Sequence, residues 1–336
     1  MQNDTATVTT DGSNTTVIDC SGDNNKKTTD YEKTSDMDKI NKDTPPPMIK
    51  HIVCSGGGIT GLTFYGILKT THQNNVWELK NIKSFYGTSA GSIMAVMVAL
   101  DYEWNILDDY IIRRPWQNVF KINLAAVFDI VNCKGVFSKK VFEYIFSPLF
   151  ACKDIPMTVT MKEFYELTKI DIHIFTAELN AFKCVDISHT THPDWKILDA
   201  IHASCSIPFL FAPLFDGEKC YADGGILVDY PLDICLKNGA ALDEIFGINR
   251  IYRIKTRLSS DSSLFDYMSV LVNKSHMHFL YTPYNTIPNE ICVEDEPLQI
   301  QGFYDTAASP EERIRLIKRG IELANDFVLH HNTILV

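Results

Sequence analysis

Two glycine-rich turns, each set between an apolar run and a helix-like run, constrain this chain more than any other feature. The first unit reads "IKHIVCS", "GGGITG", then "LTFYGILKTTHQ", with Leu62, Tyr65 and Leu68 at helical spacing. The second reads "IKSFYG", "TS", then "AGSIMAVMVAL". Strand, turn, helix, repeated at once, is the alternation of a parallel α/β sheet. Turns that follow parallel strands emerge on the same edge of the sheet, so the two should lie side by side.

Each turn has a chemistry it permits. Gly56, Gly57 and Gly58 leave bare backbone N–H groups ahead of a helix, which suits an anion. The letters Gly56-x-Gly58-x-x-Gly61 fit a dinucleotide fingerprint, but "NNVWELKN" is a poor strand end on which to display Glu78 as the ribose ligand. They also fit half of a phosphate loop, but Leu62 stands where that loop needs lysine. The remaining reading is an oxyanion hole for acyl transfer, built from Gly56, Gly57, Gly58 and Ile59 with Gly61 in support. The second turn favours it. Gly87-Thr88-Ser89-Ala90-Gly91 is a G-x-S-x-G motif in the strand-to-helix context that a nucleophilic serine requires. Gly87 and Gly91 relieve a crowded turn, and the helix dipole favours negative charge developing at Ser89.

A serine hydroxyl needs a base. Of the ten histidines, His276, His278, His330 and His331 come late enough to close a Ser-His-Asp triad, yet none sits at a clear strand exit. Asp223 is better placed. "YADGG" puts a carboxylate at a strand end, followed by Gly224 and Gly225, which let other backbone approach. Free aspartate titrates near ~3.9, so desolvation would have to raise Asp223 before it could serve.

The net charge of −11 argues against nucleic acid, because an acidic chain is repelled by phosphate backbones. Nine scattered cysteines, odd in number and without C-x-x-C, read as buried thiols in a reducing compartment. No secretory signal opens the chain and no run approaches the ~18 apolar residues of a membrane span. The expectation is a cytoplasmic protein that touches membranes peripherally.

Residues 1–47 are polar, end in three prolines and read as a disordered arm. Further strands are expected at 171–180 and 183–188, around "KCYADGG", and at 245–256, with a helix at 196–208. Near the C-terminus Ser309, Pro310 and Glu312 mark a helix start, and Ile314, Ile317, Ile321, Ala324 and Val328 form a core-docking stripe.

Taken in order, Gly56–Gly61, Gly87–Gly91 and Asp223-Gly224-Gly225, with "ASCSIPFLFAP" and "DGGILVDYP" between and after them, resemble the patatin-like phospholipases. The resemblance covers about 50–236. It implies a three-layer α/β/α sandwich with a mostly parallel central sheet and a catalytic domain over 48–236; the last hundred residues lie outside it, and 237–336 is expected to form a mixed α/β extension packed on the catalytic domain. It also implies a Ser89–Asp223 dyad without histidine, an oxyanion hole from the first glycine turn, and hydrolysis of lipid acyl esters without metal or cofactor. Two positions depart from the family pattern. Thr60 stands where a basic residue is common, which weakens a preference for phospholipid. Asp229 replaces an asparagine, where it either perturbs the Asp223 turn or stays solvated. A triad esterase of the α/β-hydrolase type would place the glycine turn much further ahead of the serine, and an inactive lipid-binding relative would not need Ser89 and Asp223 intact.

The segment 101–150 is dense in large apolar groups, among them Trp104, Trp116, Phe120, Phe128, Phe142 and Phe146. It is expected to line the substrate entrance, with Arg113, Arg114 and Trp116 at a lipid–water boundary.

Overall fold

The computed structural model describes residues 48–121, 130–252, 257–279, 286–295 and 300–334. The polar arm expected over 1–47 lies outside these residues, as do Phe128 and the side chains of His276, His278 and His331.

Eight strands form one sheet: β1 His51–Cys54, β2 Ser84–Thr88, β4 Asp171–Glu178, β5 Lys183–Ile187, β7 Leu214–Asp216, β8 Lys219–Asp223, β9 Ile245–Tyr252 and β10 Asn289–Asp295. Two short strands, β3 Gly135–Phe137 and β6 Phe209–Phe211, pair apart from it. The order β10-β9-β1-β2-β4 is parallel throughout, and β5, β8 and β7 add antiparallel pairs. The expected mostly parallel sheet flanked by helices is therefore observed.

The register around β4 builds the site. Ile174 pairs with both Gly87 of β2 and Ile187 of β5, and Thr176 pairs with both Val185 of β5 and Asp223 of β8. A strand has only two edges. With β5 on one, β2 and β8 must share the other, meeting head to head. Thr88 ends β2 opposite Phe175, and Asp223 ends β8 opposite Thr176. The next residue after Thr88 is Ser89. Two strand ends arriving from opposite directions thus deliver a serine and an aspartate to one point.

Successive side chains on a strand point to opposite faces. Ile52, Phe85 and Ile174 accordingly enter a large cluster with most of the helices, whereas Val53, Tyr86 and Phe175 enter a smaller one with Leu232 and Cys235 of the Leu232–Lys237 helix. The sheet is hydrophobic on both faces, as a parallel sheet covered on both sides must be.

The last hundred residues extend this sheet, since β9 pairs directly with β1 and carries β10 on its far edge. The Pro310–Ile334 helix crosses the Gly61–Gln73 helix closely. A Cβ on Gly320 would lie 2.0 Å from the Thr63 carbonyl oxygen, and one on Gly66 would lie 2.3 Å from that of Ile317. The docking face comprises Arg313, Leu316, Ile317, Gly320 and Ala324, with Ile314, Ile321 and Val328 only half-buried, so it is turned slightly from the expected stripe. Ser309 caps the helix by accepting the Glu312 N–H at 3.1 Å, but the Glu312 carboxylate pairs with Arg315 instead of returning to the cap. No described helix is long and apolar enough to cross a membrane. Of the described cysteines Cys54, Cys205 and Cys235 are buried, whereas Cys133, Cys152 and Cys292 are exposed, which corrects the expectation of uniformly buried thiols.

Candidate active site

Ser89 follows β2 and precedes the Ala90–Ala99 helix with φ 50° and ψ −117°. Non-glycine residues rarely take such a backbone, which costs about 1–3 kcal/mol and persists only where neighbours enforce it. The neighbours do so by crowding. A Cβ on Gly91 would lie 2.4 Å from the Cys54 carbonyl oxygen, and one on Gly87 would lie 2.5 Å from the Gly91 carbonyl. Glycine at both positions lets the serine turn press against the end of β1. Polar side chains pin it further. Ser89 N–H donates to Ser204 Oγ at 2.8 Å, whose own hydroxyl donates to the Phe175 carbonyl at 2.6 Å. Ser92 Oγ donates to the Ser89 carbonyl at 2.6 Å, and Thr88 Oγ1 donates to Val228 O at 2.9 Å.

The Ser89 hydroxyl donates to Asp223 Oδ2 at 2.6 Å, and both residues are buried. The other oxygen, Oδ1, accepts the Gly225 N–H at 2.8 Å. A Cβ on Gly224 would lie 2.2 Å from the Phe175 carbonyl oxygen, so this turn too must be bare to fit against β4. Burial raises the Asp223 carboxyl. The Ser89 hydroxyl and the Gly225 N–H pull it back, Asp229 pushes it up, Arg250 pulls it down, and it settles at about 6. This is the desolvated carboxylate that the chemistry called for. Among the described side chains no histidine hydrogen-bonds to Ser89 or Asp223. His202, for example, is turned to the Ala212 carbonyl.

The first glycine turn corrects one expectation. Gly56 N–H already donates to the Asp229 carbonyl oxygen at 2.9 Å, so Gly56 is a brace and not an oxyanion donor. The N–H groups of Gly57, Gly58 and Ile59 find no acceptor among the described residues. Gly58 has φ +51°, a left-handed value that favours glycine, and with Ile59 and Gly61 it faces the same cavity as Ser89. Asp229 is buried and paired with Arg250 at 3.4 Å, not solvated. Thr60, also buried, donates its hydroxyl to Asp295.

The cavity beside Ser89, about 180 Å³, has almost wholly apolar walls that include Ile93, Met97, Trp116, Phe142 and Phe211. The segment 101–150 does contribute to it, through Ile111, Trp116, Phe120, Phe142 and Ile145. Trp104 instead packs on Tyr65, and Phe146 is sealed in the core. The expected interfacial cluster is not formed. Trp116 is buried with its indole N–H donating to Ile111 O at 2.7 Å, Arg114 lies over the Tyr110 and Trp116 rings, and exposed Arg113 pairs with Asp109. Steric demand for a cavity wall outweighs the preference of tryptophan for a boundary.

Three contributors escaped the sequence reading. Ser204 orients Ser89 through its backbone. Arg313 lines the cavity, but its guanidinium donates to the carbonyls of Ile112, Arg114, Thr306 and Ala307, which makes it a strut. Arg250 sits beside Asp229. Only the last carries a signal, a lone arginine inside the apolar run "IFGINRIY", since arginine is seldom buried unpaired.

Ser89 thus stands on a strained strand-to-helix turn of an α/β sheet, hydrogen-bonded to a buried aspartate and beside open backbone N–H groups. The family model of the patatin-like phospholipases matches residues 52–236, over half of the chain, and the chain belongs to that family. It is 29% identical over 198 residues to "Probable lipid hydrolase 463L" of Invertebrate iridescent virus 6, covering 57% of this chain and 65% of that one. It is 25% identical over 214 residues to "Triacylglycerol lipase ptl3" of Schizosaccharomyces pombe, covering 59% of this chain and 43% of that one. The chain thus spans less than two thirds of either relative. The crystal structure of VipD from Legionella pneumophila has a similar fold, with a TM-score of 0.50 and 18% identity over 85% of this chain and 67% of that one.

Proposed function

We propose that the chain is a lipid acyl hydrolase that works through a Ser89–Asp223 dyad. The observation that carries this reading is the 2.6 Å hydrogen bond from Ser89 Oγ to a buried Asp223 carboxylate. Ser89 Oγ attacks the ester carbonyl carbon while its proton passes to Asp223 Oδ2. The oxyanion that forms is met by N–H groups of Gly57, Gly58 and Ile59, with the helix N-terminus behind Ser89 adding favourable field. Asp223 returns the proton to the departing alcohol oxygen as the acyl-enzyme forms. It then takes a proton from water, the resulting attack releases the carboxylic acid, and Ser89 recovers its hydrogen. No histidine, metal or cofactor enters these steps. The base needs no strong activation, because geometry supplies most of the encounter and about 6 is close to the operating pH.

The apolar cavity takes the acyl chain. A long-chain ester lives in a lipid aggregate, so the chain meets its substrate at a lipid surface. Hydrolysis of a short soluble ester and of lipid vesicles, with fluorophosphonate labelling alongside, tests the reading. Both activities and the label should vanish in Ser89→Ala. A label that persists there would remove Ser89 from the mechanism.

A further inference from the structure

The cavity beside Ser89 follows one face of the helix that the serine begins. Ser89, Ile93 and Met97 border it at intervals of four residues, and so do Ala90 and Met94, which puts all five on one side of the Ala90–Ala99 helix. Leu100, the next residue on that side, is buried but does not border the cavity. Along this helix, then, the cavity runs from the nucleophile to Met97 and stops. At a rise of about 1.5 Å per residue, Met97 lies about 12 Å beyond Ser89 and Ile93 about half as far. Ile111 of the Trp104–Arg113 helix and Phe142 and Ile145 of the Lys140–Ala151 helix, all three buried, wall it from other elements. The polar residues of the wall turn their polar atoms to backbone. Thr306 Oγ1 donates to the Gly302 carbonyl at 2.7 Å, and Arg313 is spent on the carbonyls described above. What enters meets hydrocarbon.

Length and volume bound the same guest. An alkyl chain of C–C bonds of about 1.5 Å advances about 1.25 Å per carbon when extended, so about 12 Å admits about ten carbons. An apolar cavity of about 150 Å³ takes benzene, so the 180 Å³ here holds about seven carbons. We infer that the cavity is a chain-length ruler for medium-chain acyl groups of about seven to ten carbons, with Met97 as its end stop and Ile93 at its half-way mark. This rests on the reading of Ser89 as the nucleophile. Each carbon that enters exchanges water for an apolar wall, and carbons beyond the stop gain nothing from the protein.

Alkyl fluorophosphonates of about two to fourteen carbons, each kept below the concentration at which it aggregates, read the ruler on the full chain through the rate of labelling. The rate should rise about two- to fourfold per carbon, the worth of a buried methylene, up to a break near about eight carbons, and no further. Met97→Ala should move the break outward by about two carbons, and Ile93→Trp should bring it in to about five. The position of the break is read within each variant, so a change in overall rate does not hide it. If Met97→Ala does not fold, Ile93→Trp decides alone. A rise that continues to the longest probe, a series that is flat throughout, or a break that keeps its wild-type position in either folded variant would overturn the inference. Ser89→Ala separates the two claims. Label that survives there refutes the nucleophile reading, whereas label confined to Ser89 with a flat series refutes the ruler alone.

Discussion

At the carboxyl edge of the sheet one aspartate faces an alcohol, while at the amino edge two aspartates clamp an imidazole. His173 Nδ1 lies 2.8 Å from Asp186 and Nε2 lies 3.2 Å from Asp171, whose other oxygen is 2.7 Å from His189. Tyr86 stacks on His173 and Tyr165 on His189. Burial pulls His173 down, but hydrogen bonds to Asp171 and Asp186 and their charges outweigh it and lift the imidazole to about 9. Burial likewise pushes Asp171 up, yet His173 and His189 hold it below the usual range. A carboxylate given an imidazole becomes half of an ion pair, too weak a base to take a proton. Asp223, given a hydroxyl and one backbone N–H, stays basic. The proposed dyad rests on this difference: the partner, more than the burial, sets how basic a buried aspartate stays.

The largest break in this comparison is Ser89→Ala, which should remove ester hydrolysis and fluorophosphonate labelling altogether while leaving the unfolding midpoint nearly unchanged. Next, Asp223→Asn should lower kcat by about 10²–10⁴, the usual share of a positioned base. It should also stabilise the fold. The Asp223 carboxyl is raised to about 6, so the native state gains stability as pH falls through that value towards the ordinary aspartate range, and at pH 7 the ionised group is a cost. Denaturant unfolding at pH 7 should show a gain of order 1–3 kcal/mol. A loss would mean that the carboxylate is not strained by burial.

His173→Gln tests the opposite edge. Its raised pKa contributes stability that is fully present below about 6.5 and lost as pH rises through about 9. Removing the imidazole should cost about 2 kcal/mol at pH 6, less at pH 9.5, with kcat of the folded enzyme unaffected. Equal cost at both pH values would show that packing against Tyr86, not charge, is what His173 supplies. The smallest effect is expected at the other end of β2. Ser84 Oγ lies 2.7 Å from His51 Nδ1, a serine–histidine contact of the kind Ser89 lacks. Ser84 sits in regular strand with no turn and no open N–H groups, so Ser84→Ala should cost about 1 kcal/mol and leave labelling unchanged. Label found on Ser84 would break the argument that the turn, and not a histidine, makes the nucleophile.

The serine turn, the Asp223 turn and the parallel alternation were legible because backbone sterics write them into adjacent letters. Gly87, Gly91 and Gly224 are where any Cβ would collide. The strand pair at 171–188 and the C-terminal helix were legible for the same local reason, periodicity and caps. Gly56 was misjudged because its N–H is taken by a carbonyl far along the chain, and no spacing announces that. Trp116 was misjudged because an aromatic beside arginines looks the same whether it walls a cavity or meets a membrane.

By itself, then, the sequence determined the conformations that a few residues can adopt: a bare turn, a strained elbow, an Asp-Gly strand end. Such constraints act within a few bonds and need no partner. Which carbonyl claims Gly56, which arginine backs Asp229, and which aspartate receives Ser89 were decided by the fold. Those contacts join residues that only the register of β2, β4 and β8 brings together, and they act in a site dry enough for each charge to be felt.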